Sequence, residues 1–137
     1  MSKYTTVNTS FKDPQSLCEA LEELGYTAVQ FHETAKHLTG YQGDKRSQTA
    51  EIIVPRNVKG GLGHASNDLG FKLNSDGNYE ALISEYDTGF LGKNFVSKLK
   101  ATYAEINTKK TALIQGLRFV NKTVNDLGEV QLEFAVI

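Results

Sequence analysis

A single cysteine, Cys18, in a chain of 137 residues leaves no partner for an internal disulfide and too few thiols for a cysteine-based zinc site, as expected in a reducing compartment. Proline occurs only at positions 14 and 55, and no Pro/Ser-rich linker, repeat or low-complexity tail divides the chain. No stretch approaches the ~18 uncharged apolar residues of a membrane span. The opening Met1-Ser-Lys-Tyr-Thr-Thr lacks the apolar core of a signal peptide, so the expectation is a soluble intracellular protein without membrane insertion. A net charge of −1 excludes a uniformly basic nucleic-acid binder.

What is present fits one globular domain, assigned to residues 1–137. Hydrophobic residues make up 39% and charged residues 23%. A chain of this size buries roughly two-thirds of its unfolded surface, enough for a core without a structural metal. Charge is segregated along the sequence. Residues 92–122 carry seven basic groups (Lys93, Lys98, Lys100, Lys109, Lys110, Arg118 and Lys122) against one acid, Glu105. Residues 74–91 hold Asp76, Glu80, Glu85 and Asp87 and no base. Solvated faces account for such runs in the simplest case, and docking of an acidic or phosphate-bearing partner is the alternative.

The β-branched and aromatic run 3–11 predicts a first strand. Asp13 as N-cap and Pro14 in the first turn open a helix, on which Leu17, Cys18, Leu21 and Leu24 recur at helical spacing until Gly25 stops it. Cys18 falls on the apolar stripe and reads as a small core residue. Strand character resumes over 26–31. No period holds over 34–50, where Gly40-Tyr41-Gln42-Gly43 predicts a loop. Ile52-Ile53-Val54 reads as a short buried strand stopped by Pro55, and 56–68 as a second long loop, a length that tends to be functional or mobile. Alternation at Leu69, Phe71 and Leu73, the turn at 74–78, and alternation at Tyr79, Ala81 and Ile83 predict a hairpin. Phe95, Val96, Leu99, Tyr103 and Ile106 mark a second helix whose continuity past 107–108 the pattern leaves open. Strict alternation at Val130, Leu132, Phe134 and Val136 after a turn at 125–128 predicts a terminal hairpin. The expected class is therefore α+β, a mainly antiparallel sheet with two helices packed on one face and a C-terminal β-hairpin.

These residues also resemble a family, the uncharacterised "hypothetical chloroplast reading frame thirty-five" group of algal plastids and cyanobacteria. The resemblance runs through Met1-Ser-Lys-Tyr-Thr-Thr-Val, Asp13, Leu17, Leu24-Gly25-Tyr26 and Gly40-Tyr41-Gln42-Gly43. It continues through Asp68-Leu-Gly70-Phe71, Asn74, Asp76, Gly77, Tyr79-Glu80, Asp87, Phe95, Leu99 and Tyr103-Ala104. It implies a photosynthetic lineage or a virus of such a host, with the cytoplasm or plastid stroma as compartment. It carries over no catalytic residue.

Motifs of known chemistry are sparse. His32, His37 and His64 lack His-Glu-x-x-His spacing and read as surface or hydrogen-bonded histidines, with a site built from Asp44 or Glu33 on folding as the alternative. The loop Lys59-Gly60-Gly61-Leu62-Gly63-His64 invites a phosphate reading, but neither a Walker loop nor a dinucleotide fingerprint fits its flanks. No metal, cofactor or catalytic residue is expected. The leading expectation is an accessory protein binding a protein partner through loop 40–46 and hairpin 68–86, with Gly40, Tyr41, Gln42, Gly43, Asn74, Tyr79 and Glu80 as candidate contacts. The alternative is RNA or single-strand binding through the seven basic groups of 92–122, with Phe95, Tyr103 or Phe119 stacking on bases. A small ligand-binding enzyme with its pocket beneath the two loops is the third.

Overall fold

The structure, a computed structural model, describes residues 3–92 and 94–137, with Phe90 described in its backbone only. The chain divides into two compact units, Met1–Tyr103 and Ala104–Ile137.

In the first unit, β1 (Tyr4–Phe11), α1 (Pro14–Glu23), β2 (Gln30–Thr39), β3 (Lys45–Val54), β4 (Leu69–Leu73) and β5 (Tyr79–Ser84) precede a 3-10 turn, Glu85–Asp87, and the short α2 (Thr88–Leu91). The strands form one antiparallel sheet in the order β1-β5-β4-β3-β2. The helix α3 (Phe95–Ile114) is continuous across 107–108, where the sequence pattern left the question open. In the second unit, β6 (Leu117–Val124) and β7 (Val130–Val136) pair as the expected terminal hairpin. An α+β fold with a mainly antiparallel sheet is thus what the chain forms.

Local rules account for the boundaries. Asp13 caps α1, its Oδ1 accepting from the Gln15 amide at 3.0 Å, and Pro14 fills the first helical position where no donor is needed. Leu17, Ala20 and Leu21 on the apolar stripe are fully buried. Phe11 of β1 meets Phe71 of β4 edge-on at 6.2 Å and Tyr103 of α3 at 4.8 Å. The Tyr103 hydroxyl accepts from the amides of Lys12 and Asp13, which ties α3 to the start of α1.

The second apolar cluster departs from the expectation. Leu38 of β2, Ala50 and Ile53 of β3, and Leu82 of β5 form a buried group with Tyr4 packed against it. Residues 34–50, expected as an aperiodic loop, are in fact the end of β2 and the start of β3, joined by a tight turn. Pairing shifts register between Phe31 and Lys36 and again between His37 and Thr39. Each bulge changes which residues face inward, so the alternation that marks a regular strand is erased although the strand persists. The strand expected at 26–31 starts only at Gln30.

Candidate binding site at the hairpin turn

The β2–β3 turn is closed by Gly40 and Asp44, with the Gly40 amide donating to the Asp44 carbonyl at 2.8 Å and the Gly43 amide to the Gly40 carbonyl at 2.8 Å. Gly43 has φ +79°, and a Cβ on the buried Gly40 would collide with the Asp44 carboxylate, so the two glycines answer to turn geometry. This turn is held from outside by the segment that leads into β4. Asp68, 6% exposed, accepts the Thr39 amide on Oδ2 and the Arg56 amide on Oδ1, both at 2.8 Å. Its own amide donates to the Thr39 carbonyl at 2.9 Å, and its carbonyl accepts the Tyr4 hydroxyl at 2.6 Å. Burial, with the nearby Asp68 carboxylate next in importance, pushes the Tyr4 hydroxyl well above the usual phenol range.

Asn67 is fully buried and works in both directions. Its Oδ1 accepts the Tyr41 amide at 2.9 Å, its Nδ2 donates to Ser84 Oγ at 3.1 Å, and its amide donates to Asp87 Oδ2 at 3.0 Å. Arg56 closes the loop 56–68 on itself and on the turn. Its Nε donates to the Ser66 carbonyl at 2.7 Å and its Nη2 to the carbonyls of Tyr41 at 2.8 Å and His64 at 2.5 Å. The long loop 56–68 is held by these bonds, and Leu62 within it is buried. Glycines 60 and 61 there sit where a Cβ would strike Thr27 Oγ1 and the Pro55 carbonyl, so close packing explains them.

The outcome is a well-anchored backbone beneath two exposed aromatic rings. Tyr41 is 44% exposed and Tyr86 63%, and their rings stack at 6.1 Å with 18° between planes. Gln42 Nε2 donates to the Tyr41 hydroxyl at 3.1 Å. Thus Gly40, Tyr41, Gln42 and Gly43 share one turn. Asn74, Tyr79 and Glu80 do not join them. They flank the opposite end of the β4–β5 hairpin, ~17 Å away along five strand residues. Asn74 Oδ1 accepts the amides of Asp76 and Asn78 and its Nδ2 donates to Glu80 Oε1, a turn-closing arrangement, while the Tyr79 side chain is buried.

The basic segment is likewise dispersed by its contacts. Lys98 and Lys100 are exposed on α3. In the second unit, Lys109 and Lys122 both pair with Glu105, at 3.4 and 2.8 Å, and Lys109 Nζ lies 3.9 Å from the Phe119 ring centre. Those hydrogen bonds hold the Glu105 carboxyl below its usual range. Arg118 is exposed on β6; Lys110, on α3, is partly buried. Lys93 lies outside the described residues. Of the proposed stacking groups, Phe95 and Tyr103 are buried and only Phe119 is open.

The histidines stay apart from any metal-like grouping: among the described residues no cluster of three His, Cys, Asp or Glu side chains could hold a metal ion. His37 Nδ1 bonds the Arg46 carbonyl, and His32 Nε2 bonds Gln30 Oε1, both within a cleft also lined by Lys36 and Asp68. Cys18 is half-buried, and burial pushes its thiol up to about 11, well away from a nucleophilic thiolate. No described helix is long and apolar enough to cross a membrane.

The polar junction of Asn67, Asp68, Ser84, Asp87 and Arg56 was missed as a unit by sequence reasoning. Its signal was a run of turn-forming residues, Ser66-Asn67-Asp68, in which Ser66 closes a local turn on the Gly63 carbonyl while the Asn67 and Asp68 side chains bond distant backbone. Fold and site define an α+β protein that displays an aromatic pair on a turn fixed by buried hydrogen bonds. The sequence matches the family described as protein of unknown function DUF1257 over residues 20–133, and the chain belongs to that family. No curated protein and no solved structure matches it.

Proposed function

We propose that this protein is a non-catalytic accessory protein that binds a protein partner through the turn at Tyr41 and the end of the β4–β5 hairpin at Tyr86. The stacked, exposed tyrosine pair carries this reading. Tyrosine supplies large contact area for the loss of few rotatable bonds, and a backbone already fixed by Asn67 and Arg56 has little ordering left to lose on association. The photosynthetic setting rests on the family resemblance in the sequence. Nucleic-acid binding is the weaker reading, because buried Phe95 and Tyr103 are not available to stack on bases.

Capture with the tagged protein from a lysate of a photosynthetic cell, with and without nuclease, tests the proposal. A protein retained after nuclease treatment, and lost in Tyr41→Ala or Tyr86→Ala, is expected. An anchor of ~2 kcal/mol corresponds to a roughly 30-fold loss of affinity. Equal retention by both variants at unchanged melting temperature overturns the surface assignment, and retention that disappears with nuclease or collapses with added salt transfers it to nucleic acid.

A further inference from the structure

Beside the tyrosine pair lies a recess of about 260 Å³ lined by Gly63, His64, Ala65, Ser66, Tyr86 and Asp87. Asp87 is 2% exposed. Its Oδ2 accepts the Asn67 amide at 3.0 Å and Asn67 Nδ2 at 3.4 Å, whereas Oδ1 is buried with no hydrogen-bond partner among the described residues. A buried carboxylate oxygen without a donor is unfavourable, and a ligand that brings a donor recovers that loss. Carboxylates also set the field nearby: Asp68, Asp87 and Asp44 all act, beside burial, to suppress ionisation of the Tyr4 hydroxyl, and Arg46 opposes them. The guanidinium of Arg56 is engaged by the carbonyls of Tyr41, His64 and Ser66.

We propose that this recess receives a lysine side chain of the partner protein, the ammonium donating to Asp87 Oδ1 and the methylene stem lying along Tyr86 and Ala65. The proposal deepens the partner-binding reading and rests on it. One free acceptor oxygen suits a compact ammonium, since a guanidinium fork is matched only when both carboxylate oxygens are open, and Oδ2 is taken by Asn67. The exposed Tyr86 ring adds a cation–π face for the same charge.

The test uses Nα-acetyl-lysine amide as a probe of the wild-type protein, followed by the backbone amide resonances of Asn67 and Ala65. Saturable shifts in the millimolar range are expected, with the Nα-acetylated amides of norleucine, which lacks the ammonium, and of arginine each binding at least tenfold more weakly. Asp87→Asn keeps an acceptor for the Asn67 amide and is expected to weaken lysine amide binding at least tenfold. Tyr86→Ala, which leaves the buried bonds intact, weakens it as well, and this second variant decides the matter if Asp87→Asn fails to fold. Absence of shifts up to about 50 mM, equal binding of norleucine or arginine amide, or unchanged binding in the variants overturns the lysine pocket. Partner capture separates the two claims. Capture lost in Tyr41→Ala while lysine amide does not bind removes the pocket and keeps the surface; the reverse pair removes the surface and leaves an ammonium site.

Discussion

Gly70→Ala is the sharpest probe of how the sheet's second face is closed. Gly70 lies in β4, paired with Ile53 on one side and Leu82 on the other, and is fully enclosed. A Cβ at this position would stand 2.9 Å from the Ala50 Cβ and 3.0 Å from each methyl of Leu38. Carbon atoms in favourable contact sit at ≈ 3.5–4.0 Å, so the added methyl demands a displacement of several tenths of an ångström from groups that are themselves completely buried. Overpacking of this kind costs about 1–3 kcal/mol. The melting temperature is expected to fall by roughly 3–5 °C for each kcal/mol in a protein of this size. The decisive assay is a double-mutant cycle by urea denaturation. Leu38→Ala alone removes buried methyl groups and costs about 2–5 kcal/mol. In the double variant the new methyl occupies space that Leu38 has vacated, so the combined loss should be smaller than the sum by at least ~1 kcal/mol. Strict additivity, or a neutral Gly70→Ala, would show that β2 does not press on β4 and would refute the packing argument.

Leu21→Ala and Leu99→Ala, each truncating a side chain buried to 1% exposure or less, are expected to lower stability by about 2–5 kcal/mol in chemical denaturation; an unchanged midpoint in either would contradict its burial. Gly77 sits at φ +84° in the β4–β5 turn with open space around it, so Gly77→Ala tests backbone strain alone and should cost about 1–2 kcal/mol, checked by the same unfolding curve. Burial raises the Asp87 carboxyl above its ordinary value despite the opposing hydrogen bonds from Asn67. The folded state therefore holds this proton more tightly than the unfolded one, and the contribution is fully present below the unfolded pKa and is lost as pH rises through the higher folded value. Asp87→Asn should accordingly be more stable than the wild type at pH 7, with the advantage shrinking at pH values below about 4; a pH-independent difference between the two urea midpoints contradicts that linkage.

The regular parts of the fold were open to reading from composition and period. Asp13-Pro14 and Gly25 bracket α1, and the alternation at 69–83 and 130–136 marks two hairpins, because in each case the physical cause is local. The β2–β3 hairpin was not open in this way. Its bulges shift the inward-facing set, and Leu38 and Ala50 are buried against partners on β4 and β5 that no window along 34–50 contains. At the candidate site the division is similar. The charged run Asp44, Lys45 and Arg46 beside Tyr41 marks a turn at the water boundary, and Tyr41 is exposed there. Its neighbour Tyr86, its support from Asn67, and the remoteness of Asn74 and Glu80 arise from how β4 and β5 run between the two ends of a hairpin. Charge counts alone likewise hid that Glu105 pairs with two of the basic groups.

The three polar side chains Asn67, Asp68 and Asp87 also have a dynamic consequence. Together they accept the backbone amides of Thr39, Tyr41, Arg56 and Asn67, which belong to segments far apart in the chain. Ordinary ladder hydrogen bonds fray one pair at a time from a strand end, but the Thr39 and Arg56 amides share Asp68, the Tyr41 amide bonds the adjacent Asn67, whose own amide is held by Asp87, and Arg56 crosslinks the turn to loop 56–68. Opening any of them requires moving the common support, so they should behave as a single cooperative opening unit in hydrogen exchange, with similar protection and similar response to denaturant. Arg56→Lys, with a single ammonium in place of a planar fork that reaches three carbonyls, would split that unit and let the Tyr41 amide exchange ahead of the Asn67 amide.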